Sequence, residues 1–109
     1  MEMKKETQEK IQQLQLYEQN IHQFLMQKQQ FQSQLIELES ALSELENTES
    51  AYKIVGNIMV MGKSADMNKE LKQKKEMVEL RIKSLEKQED SIKEKTEALQ
   101  KEVLEEMKE

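Results

Sequence analysis

The sequence predicts a mainly α protein, a long antiparallel two-helix coiled coil interrupted by a central β-hairpin that pools strands with other chains into a barrel. Three observations predict it. Two stretches of nearly equal length contain no proline and no glycine. Their apolar residues repeat in heptads, and those heptads match across the midpoint of the chain. Between them lies a short segment of two β-branched runs separated by Gly56-Asn57.

The first helix is expected from about Lys4 to Asn47, about 44 residues or roughly 65 Å at 1.5 Å per residue. One core row holds Leu14, Ile21, Lys28, Leu35 and Leu42; the other holds Tyr17, Phe24, Phe31, Leu38 and Leu45. The stretch from Gln8 to Gln34 is rich in glutamine, but the heptad spacing running through it favours helix over an aggregation-prone tract.

The hairpin is expected over residues 51–61. Gly-Asn between two β-branched runs suits a two-residue turn of type II′ or I′. Val55 then opposes Ile58, Ile54 opposes Met59, Lys53 opposes Val60 and Tyr52 opposes Met61. Tyr52, Ile54, Met59 and Met61 share one face, and Val55, Ile58 and Val60 share the other with the Lys53 stem. Both faces are apolar. An isolated two-stranded ribbon is marginal in water, so this one reads as an assembly element whose strands join those of neighbouring chains.

The second helix is expected from Ala65 to Lys108, with Ser64 as N-cap and Asp66 in the first turn. Its core row is Leu71, Val78, Leu85, Ile92 and Leu99. If the chain folds back at Gly56 and Asn57, residues whose numbers sum to 113 face each other. Leu14 then meets Leu99, Ile21 meets Ile92, Leu35 meets Val78 and Leu42 meets Leu71. The alternate layers are half polar: Tyr17 faces Thr96, Phe24 faces Glu89, Leu38 faces Lys75 and Leu45 faces Asn68, with Phe31 against Ile82 as the exception. In such layers the acid and lysine stems cover the ring while their charges stay in water. Lys28 faces Leu85 and is expected to cost stability while fixing the register, so Lys28→Leu should be stabilising unless its ammonium has a buried acidic partner.

Composition narrows the function. Of 109 residues 36% are apolar, 4% aromatic and 36% charged, which leaves little for a conventional globular core and room for one domain. There are no cysteines, hence no disulfide framework and no thiolate metal site. The net charge of −5, with lysines interspersed among acids as in Glu70-Lys74, Glu79-Lys83, Glu89-Lys93 and Glu97-Lys101, argues against nucleic acid as a partner. No run is apolar enough to cross a bilayer, and Met1 to Lys10 is charged rather than signal-like, so the cytosol is the expected compartment and no membrane is expected as a partner. The one histidine, His22, reads as a surface imidazole with no companion ligands. No phosphate loop, nucleophile motif or paired catalytic carboxylates are present, so neither an enzyme nor a cofactor is expected.

Local sequence adds a resemblance. Gln27-Lys28-Gln29, Ala41-Leu42-Ser43-Glu44-Leu45, Tyr52-Lys53-Ile54-Val55-Gly56 and Leu85-Glu86-Lys87-Gln88-Glu89 are similar to segments of the β-class subunits of prefoldin, and the similarity spans nearly the whole chain. One hairpin rather than two points to the β class, and the compact, heptad-dense form looks archaeal. A lysine often follows the second strand in that family, whereas Met61-Gly62 stands here. The resemblance implies a hexamer of two α-type and four β-type subunits, with a double β-barrel of hairpins from which the coiled coils hang. It implies an ATP-independent chaperone that holds unfolded polypeptides at the coil tips and passes them to a group II chaperonin.

The residues agree with that role. Met3, Ile11, Leu14 and Leu16 at one end, with Leu99, Val103, Leu104 and Met107 at the other, are more apolar atoms than one seam can cover. Ile11, Leu16, Val103, Leu104 and Met107 are expected to form or border the client-binding surface, with frayed helix ends helping to expose it. Leu14 and Leu99 are expected to close the last core layer. The alternative is a passive tether whose hairpin is an oligomerisation clasp.

Overall fold

The computed structural model describes residues 4–108. Helix α1 spans Lys5–Leu45, strand β1 Ser50–Val55, strand β2 Ile58–Lys63 and helix α2 Ser64–Lys108. By the density of internal contacts the chain divides into two units. One combines Met1–Lys28 with Lys83–Glu109, and the other is Gln29–Ile82.

In the Gln29–Ile82 unit the strands pair antiparallel, with Val55 opposite Ile58, Ile54 opposite Met59 and Tyr52 opposite Met61, as the turn position predicts. Gly56 has φ +62° while Asn57 keeps a negative φ, which selects the II′ form of the two turns expected. The ladder is longer than predicted. It starts at Ser50 and ends at Lys63, and the Ser64 amide donates to Glu49 O at 3.1 Å. A lysine does therefore close the second strand, after Gly62. A Cβ on Gly62 would come within 2.9 Å of Met67 Cε, the far end of a flexible side chain that can shift, so the strand end packs closely on α2 without requiring glycine there.

Ser64 differs from expectation. With its amide in the ladder, its hydroxyl shares a 3.0 Å hydrogen bond with Thr48 Oγ1 and does not cap α2. Helix α1 also stops earlier than predicted. Its last turn tightens, with Glu46 N donating to Ser43 O and Thr48 N to Leu45 O, and residues 46 and 47 leave the helix. In this unit the predicted core positions Phe31, Leu35, Leu38, Leu42, Leu45 and Leu71 are half-buried and Val78 is buried; Met67, on neither predicted row, is buried as well.

In the other unit Leu14, Tyr17, Ile21, Phe24, Ile92 and Leu99 are half-buried and Leu85 is buried, again on the predicted rows. Thr96, set against Tyr17, satisfies its hydroxyl by donating to Ile92 O at 2.7 Å. Glu89 is the exception. Its charge does not stay in water: the residue is only 8% exposed. Lys28 Nζ lies 3.3 Å from Glu89 Oε2, and Lys93 Nζ lies 2.8 Å from Oε1. Lys28 therefore reaches one turn beyond Leu85 to a carboxylate, the buried partner that reverses the expected effect of removing it.

Lys28→Leu is accordingly expected to lower the thermal midpoint, because Glu89 loses one of its two cations while remaining desolvated. Replacing both, Lys28→Leu with Glu89→Leu, is expected to raise stability by about 1 kcal/mol, since a buried ion pair is often outperformed by well-packed apolar side chains. Thermal melts of the two variants check this; a more stable single variant would mean that the ion pair contributes nothing.

Among the intrahelical pairs predicted on α2, Glu89-Lys93 forms. Glu70 turns instead to Lys53 on β1, 3.4 Å away, and Glu79 lies 4.0 Å from Lys75, which also reaches Glu39 at 3.7 Å. A flexible lysine finds whichever carboxylate the tertiary fold brings within reach, and the sequence spacing shows only those on its own helix.

Candidate functional site

Two surfaces concentrate exposed apolar side chains. The first is the hairpin. Tyr52, Ile54, Met59 and Met61 on one face are 63 to 72% exposed, and Val55, Ile58 and Val60 on the other are 42 to 66% exposed. Alternation along a strand normally sends one set of side chains to a core. Here neither set is covered, and the outer edges of both strands are open as well, since the sheet has two strands. A surface of this kind offers both side-chain burial and backbone hydrogen bonds to further strands.

The second surface lies at the helix ends, where the N-terminal part of α1 meets the C-terminal part of α2. Leu104 is 59%, Met107 57% and Leu16 51% exposed. Ile11 is half-buried. Val103, at 7% exposure, is part of the seam between the helices, so of the two roles expected it can border the surface but not present it. Heptad numbering explains this, because Val103 continues the row of Glu89 and Thr96 at sevenfold spacing, while Leu104 falls one position outside it. Met3 lies outside the described residues.

The helix ends are tied together by polar contacts. Thr7, 3% exposed, donates its hydroxyl to Glu106 Oε2 at 2.8 Å. Lys10 Nζ contacts Glu106 Oε1 and lies 3.4 Å from Glu102 Oε2. The ends expected to fray thus carry a cross-linked polar cluster. A buried threonine and a lysine on α1 carry no apolar signal, and the sequence shows the cluster only once Thr7 and Glu106 are recognised as opposite positions in the register of 113.

These contacts shift ionisation. The hydrogen bond from Lys10, then that from Thr7, holds the Glu106 carboxyl below the usual carboxylate range, against some desolvation. Lys93, and after the opposing desolvation Lys28, do the same for Glu89. Lys10 is raised chiefly by its bond to Glu106, and Lys93 by its bond to Glu89. A depressed carboxyl pKa stabilises the fold above the unfolded value, about 4.3, and loses that contribution as pH falls through the folded value. A raised lysine pKa stabilises below about 10.4 and loses its contribution as pH rises through the folded value. The thermal midpoint followed by helical circular dichroism is thus expected to be flat between these limits and to fall on both sides. The acid limb should be shallower in Glu89→Gln with Glu106→Gln, and an unchanged acid limb would mean that other carboxylates control it.

Among the described residues no group of three or more His, Cys, Asp or Glu is arranged to hold a metal ion, and no helix is long and apolar enough to cross a membrane. His22 is exposed.

A family model described as prefoldin subunit matches residues 8–109. The chain belongs to the prefoldin subunit family. Its fold is close to that in the crystal structure of the prefoldin beta subunit from Thermococcus strain KS-1, with a TM-score of 0.87 and 32% sequence identity over 94% of this chain and 92% of that one. The prefoldin subunit beta of Archaeoglobus fulgidus is 52% identical over 44 residues, which covers 40% of this chain and 38% of that protein. The match to the curated relative thus spans well under half of its length. Both prefoldin relatives are β subunits, in agreement with the single hairpin.

Proposed function

We propose that this chain is a subunit of a hetero-oligomeric prefoldin, a cytosolic chaperone that captures non-native polypeptides without ATP and delivers them to a group II chaperonin. The observation that carries the reading is the hairpin, apolar and uncovered on both faces, with side chains 42 to 72% exposed. Strands of this kind are stable when neighbouring copies and a two-hairpin, α-type partner complete a closed sheet, the hexamer of two α-type and four β-type chains. Ile54, Val55, Ile58, Met59 and Val60, with Tyr52, form the contacts of that assembly.

Client capture then falls to the helix ends. Leu16, Leu104 and Met107 supply exposed apolar surface, Ile11 borders it, and Val103 closes the seam beside it. Unbranched methionine adapts to varied sequences. Several such ends acting on one client raise the effective concentration, so weak contacts per subunit suffice.

The test is light scattering from a denatured client diluted into buffer without ATP, with this chain alone and with an α-type partner. Suppression at near-stoichiometric ratios supports the chaperone reading, and dependence on the partner supports the hetero-oligomer. The Thr7-Glu106-Lys10 cluster, which ties the helix ends together, favours a second reading, a passive tether clasped by its hairpin. Competition by unrelated unfolded proteins separates the two, because a tether with one defined partner ignores them.

A further inference from the structure

The Gln29–Ile82 unit carries an apolar groove that neither the assembly hairpin nor the helix ends include. Phe31 and Leu38 of α1 and Met77 and Val78 of α2 line a space of about 350 Å³, with Lys74 and Arg81 also at its wall. Val78 is buried and Met77 is 57% exposed. Arg81 is the one arginine among 17 basic residues of the chain, and its guanidinium carbon stands 5.6 Å from the centre of the Phe31 ring. Lys74 and Arg81 are seven residues apart on α2, about 10.5 Å along the axis.

Charge sets the kind of occupant. Two cations and one acid, Glu37, border the groove in a chain of net charge −5. Lys53, Lys75 and Lys93 each lie within 4.0 Å of a carboxylate, whereas among the described residues Lys74 and Arg81 are in no such ion pair. A guanidinium held over an aromatic face keeps its planar donors directed outward, suited to a carboxylate in two-point contact. Beside it the Phe31, Leu38 and Val78 surface takes an apolar side chain, with Met77 adapting around it.

We propose that this groove is a second contact site for client polypeptide, binding segments that place a bulky apolar side chain next to an acidic one. The proposal rests on the chaperone reading above. Size favours a client segment over another copy of the chain: the groove is at the small end of the range for compact ligand sites, about 300 to 1,000 Å³, and holds one or two side chains. A stable protein pair needs about 800 Å² from each partner. A weak, short contact is what multivalent capture uses.

The test uses the full chain assembled with an α-type partner, in a Leu104→Ser, Met107→Ser background so that the helix ends do not mask the groove. The probes are a fluorescein-labelled extended peptide of leucine, phenylalanine and glutamate, and its analogue with glutamine in place of glutamate, followed by fluorescence anisotropy. The acidic peptide is expected to bind about tenfold more tightly than the glutamine analogue and to lose that margin in Arg81→Gln, the scale of a charged hydrogen bond. Arg81→Lys should restore part of it, and Met77→Asp should abolish binding of both peptides while the helical signal is unchanged.

Equal binding of the two peptides, or an acidic peptide indifferent to Arg81→Gln, overturns the proposal. So does binding by the unassembled chain that vanishes on assembly, which assigns the groove to a second copy or to the partner subunit. Failure of the unsubstituted assembly to suppress client aggregation would sink the chaperone reading instead, and the anisotropy experiment distinguishes that outcome because it reads the groove directly.

Discussion

Placing aspartate at both Ile54 and Met59 is expected to abolish assembly while leaving helical content unchanged. The two residues are a cross-strand pair on one face of the hairpin, 72% and 64% exposed in the single chain. In a closed multi-chain sheet each would be buried, at about 1.5 to 3 kcal/mol per apolar side chain. Aspartate forfeits that and adds the cost of burying two unpaired carboxylates side by side, several kcal/mol more. The combined loss corresponds to more than about a thousandfold in association. The helices are spared because neither side chain belongs to the helical seam. Sedimentation of the variant mixed with its α-type partner reads the outcome. A complex of unchanged mass would show that the hairpin faces are not the assembly surface.

The second large effect is expected at the helix ends. Leu104→Ser with Met107→Ser should strongly reduce suppression of client aggregation without changing assembled mass or thermal midpoint. Both side chains are more than half exposed, so their loss removes surface and leaves no cavity. The functional effect multiplies because each assembly carries several such ends, and a modest loss at each compounds through shared occupancy of one client. Val103→Ala provides the contrast. That side chain is 7% exposed, so its truncation leaves a gap in the seam and should lower the midpoint without removing capture surface. If the double serine variant retains full suppression, the capture surface lies elsewhere, with the Arg81 groove the next place to look.

The Thr7-Glu106-Lys10 cluster bears on how capture proceeds. It ties together the part of the seam that holds Val103 and Ile11, so opening it would add buried apolar surface to what Leu104 and Met107 already offer. The contacts are polar and partly exposed, and such contacts contribute little net stability each. Ends joined mainly by polar bonds open more readily than ends joined by a leucine layer.

The heptad rows, the position and pairing of the hairpin, and its uncovered faces were all legible from residue order. Each depends on a local period or on a turn that only a few residues can make. Gly56 at positive φ followed by Asn57 sets the strand register, and that register sets which helix residues can oppose one another, so a two-residue feature propagates along the chain. The exposed apolar surface followed for the same reason, since a period that leaves Leu104 off the seam can be counted.

Long polar side chains were not legible. Glu89 read as a solvated acid, yet it is buried between Lys28 and Lys93. Ser64 read as a helix cap, yet it bonds Thr48 across the base of the hairpin. Arg81 falls on neither core row and carries no signal in residue order, yet it stands over Phe31 beside an open groove. In each case the deciding partner is on another element, and a flexible side chain can reach several candidates at comparable cost. Periodicity determines which backbone positions face each other; only the folded chain determines where charged and hydroxyl groups find their partners, because that choice depends on distances of a few ångströms and on the water excluded around them.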